Sequence, residues 1–112
     1  MTLYRVFGLF FMINFNGQLA DNNTLLSIKN RGLNYGDALF ETLKTSYGKV
    51  LFWEDHYFRL MASMRIMRME IPMHFTMQYL ESQIQELLIA NKLQNASARV
   101  KLLVYRNEGG LY

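Results

Sequence analysis

The chain has 112 residues, which suits one modest domain, and its 14% aromatic and 19% charged residues are the balance of a globular protein rather than a disordered one. The formal charge of +3 comes from basic residues interleaved with acidic ones, so the clustered phosphate footprint of a nucleic-acid-binding protein is missing. Cysteine is absent, which excludes disulfides, a thiolate nucleophile and cysteine-type zinc sites, and suits a cytoplasmic protein. The two histidines, His56 and His74, lack metal-ligand spacing, so we predict no metal site.

Residues 1–11 run into an apolar stretch that extends from Val6 to Ile13. The stretch is about half of the roughly 20 residues that a membrane-spanning helix needs, and no small-residue cleavage site follows it. We therefore expect neither a membrane anchor nor a signal peptide. Residues 1–11 are interpreted either as a strand extension or as a start upstream of the usual one at Met12.

Asn16-Gly17 lies between two short segments, residues 12–15 and 18–20, that favour strands. The pair predicts a β-hairpin, because a type I′ turn needs positive φ at both central positions. Residues 21–37 are rich in Asn, Asp, Ser and Gly and predict a long surface loop, a kind of segment that is usually functional.

A second hairpin is predicted from strands at residues 38–46 and 49–53 joined by a turn at Tyr47-Gly48. Successive side chains of a strand point to opposite faces. The alternation places Phe40, Thr42 and Lys44 on one face and Leu39, Glu41 and Leu43 on the other. Both faces are mixed in polarity, so neither is plainly a core face.

Glu54 and Asp55 favour the start of a helix that should run to about Arg68, and Ile71-Pro72 prevents the helix from continuing. Its apolar stripe consists of Tyr57, Leu60, Met64 and Met67. The methionines in this part of the chain align with helix stripes and are interpreted as core filling.

A second helix is predicted from an N-cap at Thr76 to about Asn91. Its expected buried face consists of Met77, Leu80, Ile84, Leu87 and Leu88. Residues 98–105 then read as a core strand and residues 107–110 as a turn. This order predicts a single α+β domain over residues 1–112, with a mostly antiparallel sheet of hairpins and two helices packed on it.

Arg59 lies off the helix face that carries Arg65 and Arg68, so its guanidinium is expected to reach toward the sheet. Spacing alone favours an ion pair with Asp37 or Glu41 over an anion site, and planar donors suit both. Lys44 is expected to be an ordinary exposed lysine of a hairpin. His56 is expected to make local hydrogen bonds rather than to act as a general base.

Three motifs in the chain point to a protein family, whereas their hydrophobic periodicity points only to a type of secondary structure. The string RGLNYGDALFET at residues 31–42, the pair GK at 48–49 and the pattern HxxRL at 56–60 together resemble the class IV aminotransferases. This fold-type IV pyridoxal-phosphate family includes branched-chain and D-amino-acid aminotransferases and aminodeoxychorismate lyase. The resemblance continues through ARVKLLVYRNEGGLY at residues 98–112 and covers the part of the family known as the N-terminal domain.

The resemblance implies roles for four residues. Arg59 corresponds to the arginine that grips the 5′-phosphate of pyridoxal phosphate, and Tyr35 and Phe40 fall where the family lines its substrate pocket. Lys44 falls where branched-chain enzymes place an arginine near the substrate carboxylate. The parent enzyme is expected to be a homodimer that acts on a small amino acid or 2-oxo acid.

The resemblance also implies that the cofactor-attaching lysine and the glutamate facing the pyridine nitrogen lie in a C-terminal domain absent from these residues. None of the lysines present matches the attaching one: Lys29, Lys44, Lys49, Lys92 and Lys101. We therefore predict no catalytic residue here and expect the chain to be inactive alone. Leu111 stands where lyase-like relatives tend to carry an arginine, which favours a branched-chain-like aminotransferase over a lyase parent. A non-enzymatic truncated or oligomerising domain is a third alternative.

Overall fold

The computed structural model describes residues 2–5, 12–21 and 38–106. The elements are, in chain order, β1 (Thr2–Arg5), β2 (Met12–Phe15), β3 (Gln18–Asp21), β4 (Ala38–Ser46), β5 (Lys49–Val50), α1 (Trp53–Ile66), α2 (Met77–Ala90) and β6 (Ser97–Tyr105). The described strands form one sheet in the order β3-β2-β1-β6-β4-β5, and every pairing is antiparallel. The predicted α+β architecture is confirmed.

Strand β1 is internal to this sheet. It pairs with β2 on one side and with β6 on the other, with Thr2 opposite both Phe15 and Leu103. Thr2–Arg5 therefore links the first hairpin to the rest of the sheet. Neither of the two described helices is long and apolar enough to cross a membrane.

The first hairpin forms as predicted, with Asn16 at φ 55° and Gly17 at φ 88° between β2 and β3. Positive φ at both positions matches the right-handed twist of the flanking strands. Strand β3 reaches Asp21, one residue further than expected. The rest of the predicted loop, including Tyr35, lies outside the described residues, as does the predicted turn at 107–110.

The second hairpin is shorter than predicted, because β5 ends at Val50 instead of continuing to residue 53. Leu51 and Phe52 form a turn, with Phe52 in the left-handed region at φ 55°. Trp53 is the first residue of α1, and its indole Nε1 donates to the carbonyl oxygen of Met77 at 3.3 Å. Burial of this indole against the start of α2 overrides the local preference of residues 51–53 for a strand.

Both helices match their predicted positions closely. Helix α1 ends at Ile66, earlier than expected, because Arg68 adopts φ 56° after the last turn. Helix α2 is capped by Thr76, whose Oγ1 accepts from the backbone N–H of Tyr79 at 3.0 Å. Gln83 is buried on α2 although it was not expected in the core, because its Oε1 accepts from Asn14 Nδ2 at 2.7 Å.

The two helices pack on one face of the sheet, which we call the helix face. Its buried core side chains include Leu43 on β4, Val100 and Leu102 on β6, Leu60 and Met64 on α1, and Leu80, Ile84, Leu87 and Leu88 on α2. The opposite face, called the open face, carries Phe40, Thr42 and Lys44, all of which are exposed in the described part of the chain. Strand β4 therefore contributes to a core on one side and to a surface on the other.

Candidate functional site

Glu41, His56 and Arg59 form one cluster between β4 and α1. Strand alternation directs Glu41 to the helix face, and His56 and Arg59 share a face of α1 because they are spaced i and i+3. Arg59 Nε lies 3.1 and 3.0 Å from the two carboxylate oxygens of Glu41, and Nη2 lies 2.7 Å from Oε1. His56 Nδ1 lies 2.7 Å from the same Oε1. The ion pair expected from spacing is therefore made with Glu41.

The proton on His56 can be placed from this geometry. An ionised carboxylate only accepts, so the 2.7 Å contact requires Nδ1 to donate to Glu41. Arg59 Nη2 also lies 3.1 Å from Nδ1, but a nitrogen that carries a proton cannot accept from the guanidinium as well. Both side chains therefore donate to Glu41, and the expected local hydrogen-bonding role of His56 is found.

The cluster perturbs the pKa of two of its members. Burial alone raises the pKa of the Glu41 carboxyl, but the hydrogen bonds and charges of Arg59 and His56 together outweigh it and hold that pKa below its ordinary value. The hydrogen bond from Arg59 to Glu41, followed by the Glu41 charge, raises the pKa of Arg59. Both groups are ionised at neutral pH.

Arg59 retains donor capacity within the cluster. Its contacts with Glu41 engage Nε and Nη2, and no described residue accepts from Nη1. The Arg59 side chain is 61% exposed, whereas that of Glu41 is 11% exposed. The arrangement presents a fixed guanidinium edge at the surface, held from behind by a carboxylate.

Phe40 and Lys44 lie on the open face, on the side of β4 opposite to Glu41. Lys44 is exposed, as expected for a hairpin lysine, and its register partner on β6 is Arg99. A cavity of about 310 Å³ is lined by these two side chains together with Ser97 and Ala98. Like charges directly opposite each other on a sheet are destabilising.

Lys101 lies on the same face, with its Nζ 4.7 Å from the centroid of the Phe40 ring. Our sequence reasoning missed Lys101 and Arg99 as candidate site residues. The period-two alternation of residues 98–104 already places them together, opposite Val100 and Leu102. The sequence alone does not give the register in which β6 pairs with β4, and this register places them opposite β4.

The described residues to which the motifs assign a role thus lie on two different sides of β4. The structure joins Arg59 to Glu41 and His56 on one side of β4, and it places Phe40 and Lys44 together on the other. The contacts that it records for the Arg59 side chain are with the cluster alone. Tyr35 lies outside the described residues.

Comparison with known proteins gives consistent matches. The family model for amino-transferase class IV matches residues 38–112. A putative branched-chain-amino-acid aminotransferase of Methanocaldococcus jannaschii is 31% identical over 100 residues, which is 88% of this chain and 33% of the relative.

Two solved structures have the same fold. The structure of 4-amino-4-deoxychorismate lyase from Pseudomonas aeruginosa matches with a TM-score of 0.59 and 31% identity, over 80% of this chain and 30% of that chain. The T.th. branched-chain amino acid aminotransferase, complexed with N-(5′-phosphopyridoxyl)-L-glutamate, matches with a TM-score of 0.72 and 24% identity, over 94% of this chain and 35% of that chain.

The chain spans about a third of the length of these relatives. The family model covers most of the chain and includes the HxxRL motif that carries Arg59. The resemblance read from the motifs is confirmed: the chain belongs to the class IV aminotransferase family.

Proposed function

We propose that this chain forms the part of a pyridoxal-phosphate-dependent aminotransferase that holds the 5′-phosphate of the cofactor and one wall of the substrate pocket. The observation that carries the proposal is the guanidinium of Arg59, which is fixed by Glu41 while Nη1 has no acceptor among the described residues. Family membership supports the choice of cofactor, since one structural relative was solved with a phosphopyridoxyl ligand.

The chemistry of the Arg59 side chain fits a phosphate. Guanidinium N–H groups match phosphate oxygens in geometry, and charge-assisted hydrogen bonds are about twice as strong as neutral ones. Glu41 neutralises the formal charge of Arg59, so the site offers directed donors rather than net charge. We therefore expect Arg59 to orient the phosphate, while further hydrogen-bond donors complete the binding of the phosphate.

Pyridoxal phosphate supplies the electron sink for amino-group chemistry when it is bound. The role of this chain is to position it. Glu41 holds the Arg59 fork in one orientation, and His56 donates to the same carboxylate and limits its rotation. Fixed donors lose less conformational entropy when the ligand arrives.

On the open face, we expect Lys44, opposite Arg99 in the sheet, to contribute positive charge to the binding of the carboxylate of an amino acid or 2-oxo acid. Phe40, 58% exposed, supplies an apolar wall for a branched-chain-like side chain. Lys101 stacks on that ring and keeps a third cation beside it.

The chain alone should be inactive, because none of its lysines matches the one that attaches the cofactor. Incubation with pyridoxal phosphate, borohydride reduction and peptide mass analysis tests this point. We expect scattered, substoichiometric lysine adducts. A stoichiometric adduct on one lysine would show that the chain carries its own attachment residue and would overturn the assignment of an inactive part.

A lyase parent is the second candidate, favoured by the 31% identity to 4-amino-4-deoxychorismate lyase. Binding of two probes, 4-methyl-2-oxopentanoate and 4-amino-4-deoxychorismate, can be compared by ligand-observed NMR. The aminotransferase proposal predicts that the 2-oxo acid binds and that Lys44→Gln weakens it. Preference for the aminodeoxychorismate would support the lyase instead.

The proposed parent enzyme is a cytoplasmic homodimer. Sedimentation velocity over a range of concentrations checks the oligomeric state. A sample that remains monomeric throughout would argue against self-association through this part of the enzyme.

A further inference from the structure

A second cavity, of about 350 Å³, lies apart from both groups of residues described above. It is partly open to solvent and is lined by the β2–β3 turn, the connection between α1 and α2, the first turn of α2 and the end of β6. No member of the Glu41–His56–Arg59 cluster lines it, and neither do Phe40, Lys44 or Arg99. Its chemistry is therefore independent of the proposed cofactor and substrate sites.

Aromatic rings form much of the wall of this cavity. His74 makes edge contacts with Phe75 and Tyr79 at centroid distances of 5.1 and 5.0 Å. Tyr105 also lines the cavity, and its phenol oxygen is buried without a hydrogen-bond partner. An unpaired buried hydroxyl is unfavourable, so the end of β6 carries a local energetic cost beside this cavity.

The lining carries one acidic side chain, the exposed Glu70. Among the described residues it makes no hydrogen bond or ion pair. Arg106, the cation that follows Tyr105, donates through Nη2 to the carbonyl oxygen of Met67 at 2.7 Å and is not part of the lining. In the described part of the chain, the lining thus combines one carboxyl group with several aromatic rings and contains no lysine or arginine.

We propose that this cavity binds a small organic ammonium ion. Aromatic rings such as those of Phe75 and Tyr79 attract a cation through their quadrupoles, and the Glu70 carboxylate supplies the opposing charge. An anionic ligand would meet like charge at Glu70, and a neutral ligand would leave that carboxylate uncompensated.

The test is a titration of the full chain with tert-butylammonium chloride, followed through the backbone amide resonances of Gly17 and Tyr79. We expect saturable shifts, with at least fivefold weaker binding of tert-butanol, a neutral molecule of nearly the same shape. Glu70→Gln should weaken binding of the ammonium five- to tenfold. Glu86→Gln, which removes an exposed carboxylate elsewhere on α2, should change it less than twofold.

Sodium chloride at matched concentration controls for ionic strength. Equal binding of tert-butanol and the ammonium ion would overturn the proposal, as would shifts that never saturate. An unchanged affinity in Glu70→Gln would overturn it too, because the carboxylate would then have no part in recognition. Phosphate binding by Arg59 is measured separately, so failure here leaves the proposed function intact.

Discussion

The two faces of β4 differ in the environment of their charged side chains. On the helix face, Glu41 is nearly buried and is compensated by Arg59 and His56 within hydrogen-bond distance. On the open face, Lys44 is exposed and lies opposite a second cation, Arg99. Strand β4 therefore contributes a compensated carboxylate to one face and an exposed lysine, opposite a basic residue of β6, to the other.

The difference indicates what each face can bind. A neutral cluster with one free guanidinium edge selects a ligand by the direction of its acceptors, as a phosphate oxygen requires. Basic side chains select by charge, and for that reason we propose the carboxylate of an amino acid or 2-oxo acid as the ligand of the open face. The proposed cofactor and substrate contacts thus follow from the alternation of a single strand.

The largest expected effect comes from replacing neighbouring residues on the two faces. Leu43 is fully buried against the helices, so Leu43→Ala should lower the free energy of unfolding by about 2–5 kcal/mol. Lys44→Ala, one position later on the open face, should change it by less than about 0.5 kcal/mol. Urea denaturation measures both. An equal decrease in the free energy of unfolding for the two variants would contradict the assignment of a buried face and an exposed face to β4.

The next effect concerns the compensated cluster. Glu41→Gln should lower the free energy of unfolding at pH 7 by about 1 kcal/mol, a value discounted for the exposure of Arg59. Because the pKa of Glu41 is lowered in the folded state, its contribution is present above the ordinary carboxyl pKa of about 4.3. It is lost as the pH falls through the lowered folded-state pKa.

Urea denaturation of the wild type and Glu41→Gln from pH 7 to pH 2.5 checks this sign. The difference between the two proteins should shrink toward acid pH. Glu81→Gln, which alters an exposed carboxylate on α2, is the matched control and should stay within about 0.5 kcal/mol of the wild type. A difference that grew on acidification would mean that Glu41 is not stabilised in its ionised form.

The smallest expected effect comes from the opposed cations. Lys44→Glu turns the like-charged pair with Arg99 into an opposite-charged one, so it should raise the free energy of unfolding by about 0.2–1 kcal/mol. The gain should fall in 1 M salt, where the Debye length is about 3 Å. Thermal denaturation at two salt concentrations measures both changes. Destabilisation by Lys44→Glu would show that the two side chains do not repel each other.

The features that sequence reasoning found are those with local causes. The hairpin at Asn16-Gly17 and the cap at Thr76 depend on neighbouring residues, so their patterns were enough. The end of β5 depends on the contact between Trp53 and Met77, which are far apart in the chain, so strand-favouring residues gave the wrong boundary.

In the candidate site too, sequence reasoning found what depends on local geometry and missed what depends on nonlocal pairing. Helix geometry predicted that Arg59 turns toward the sheet, but spacing left both Asp37 and Glu41 as partners. Strand register decides which partner is met, and register is set by nonlocal pairing. The same dependence hid Arg99, whose position opposite Lys44 appears only when β6 is paired with β4.

The account depends most on Arg59 as a phosphate ligand, and calorimetric titration of the 112-residue protein with pyridoxal 5′-phosphate tests it most directly. The account predicts measurable binding that is at least tenfold weaker in Arg59→Gln. It should stay within twofold of the wild type in Arg65→Gln, which removes an exposed arginine from the last turn of the same helix. Equal affinity of the two variants, or no binding by the wild type, would contradict it.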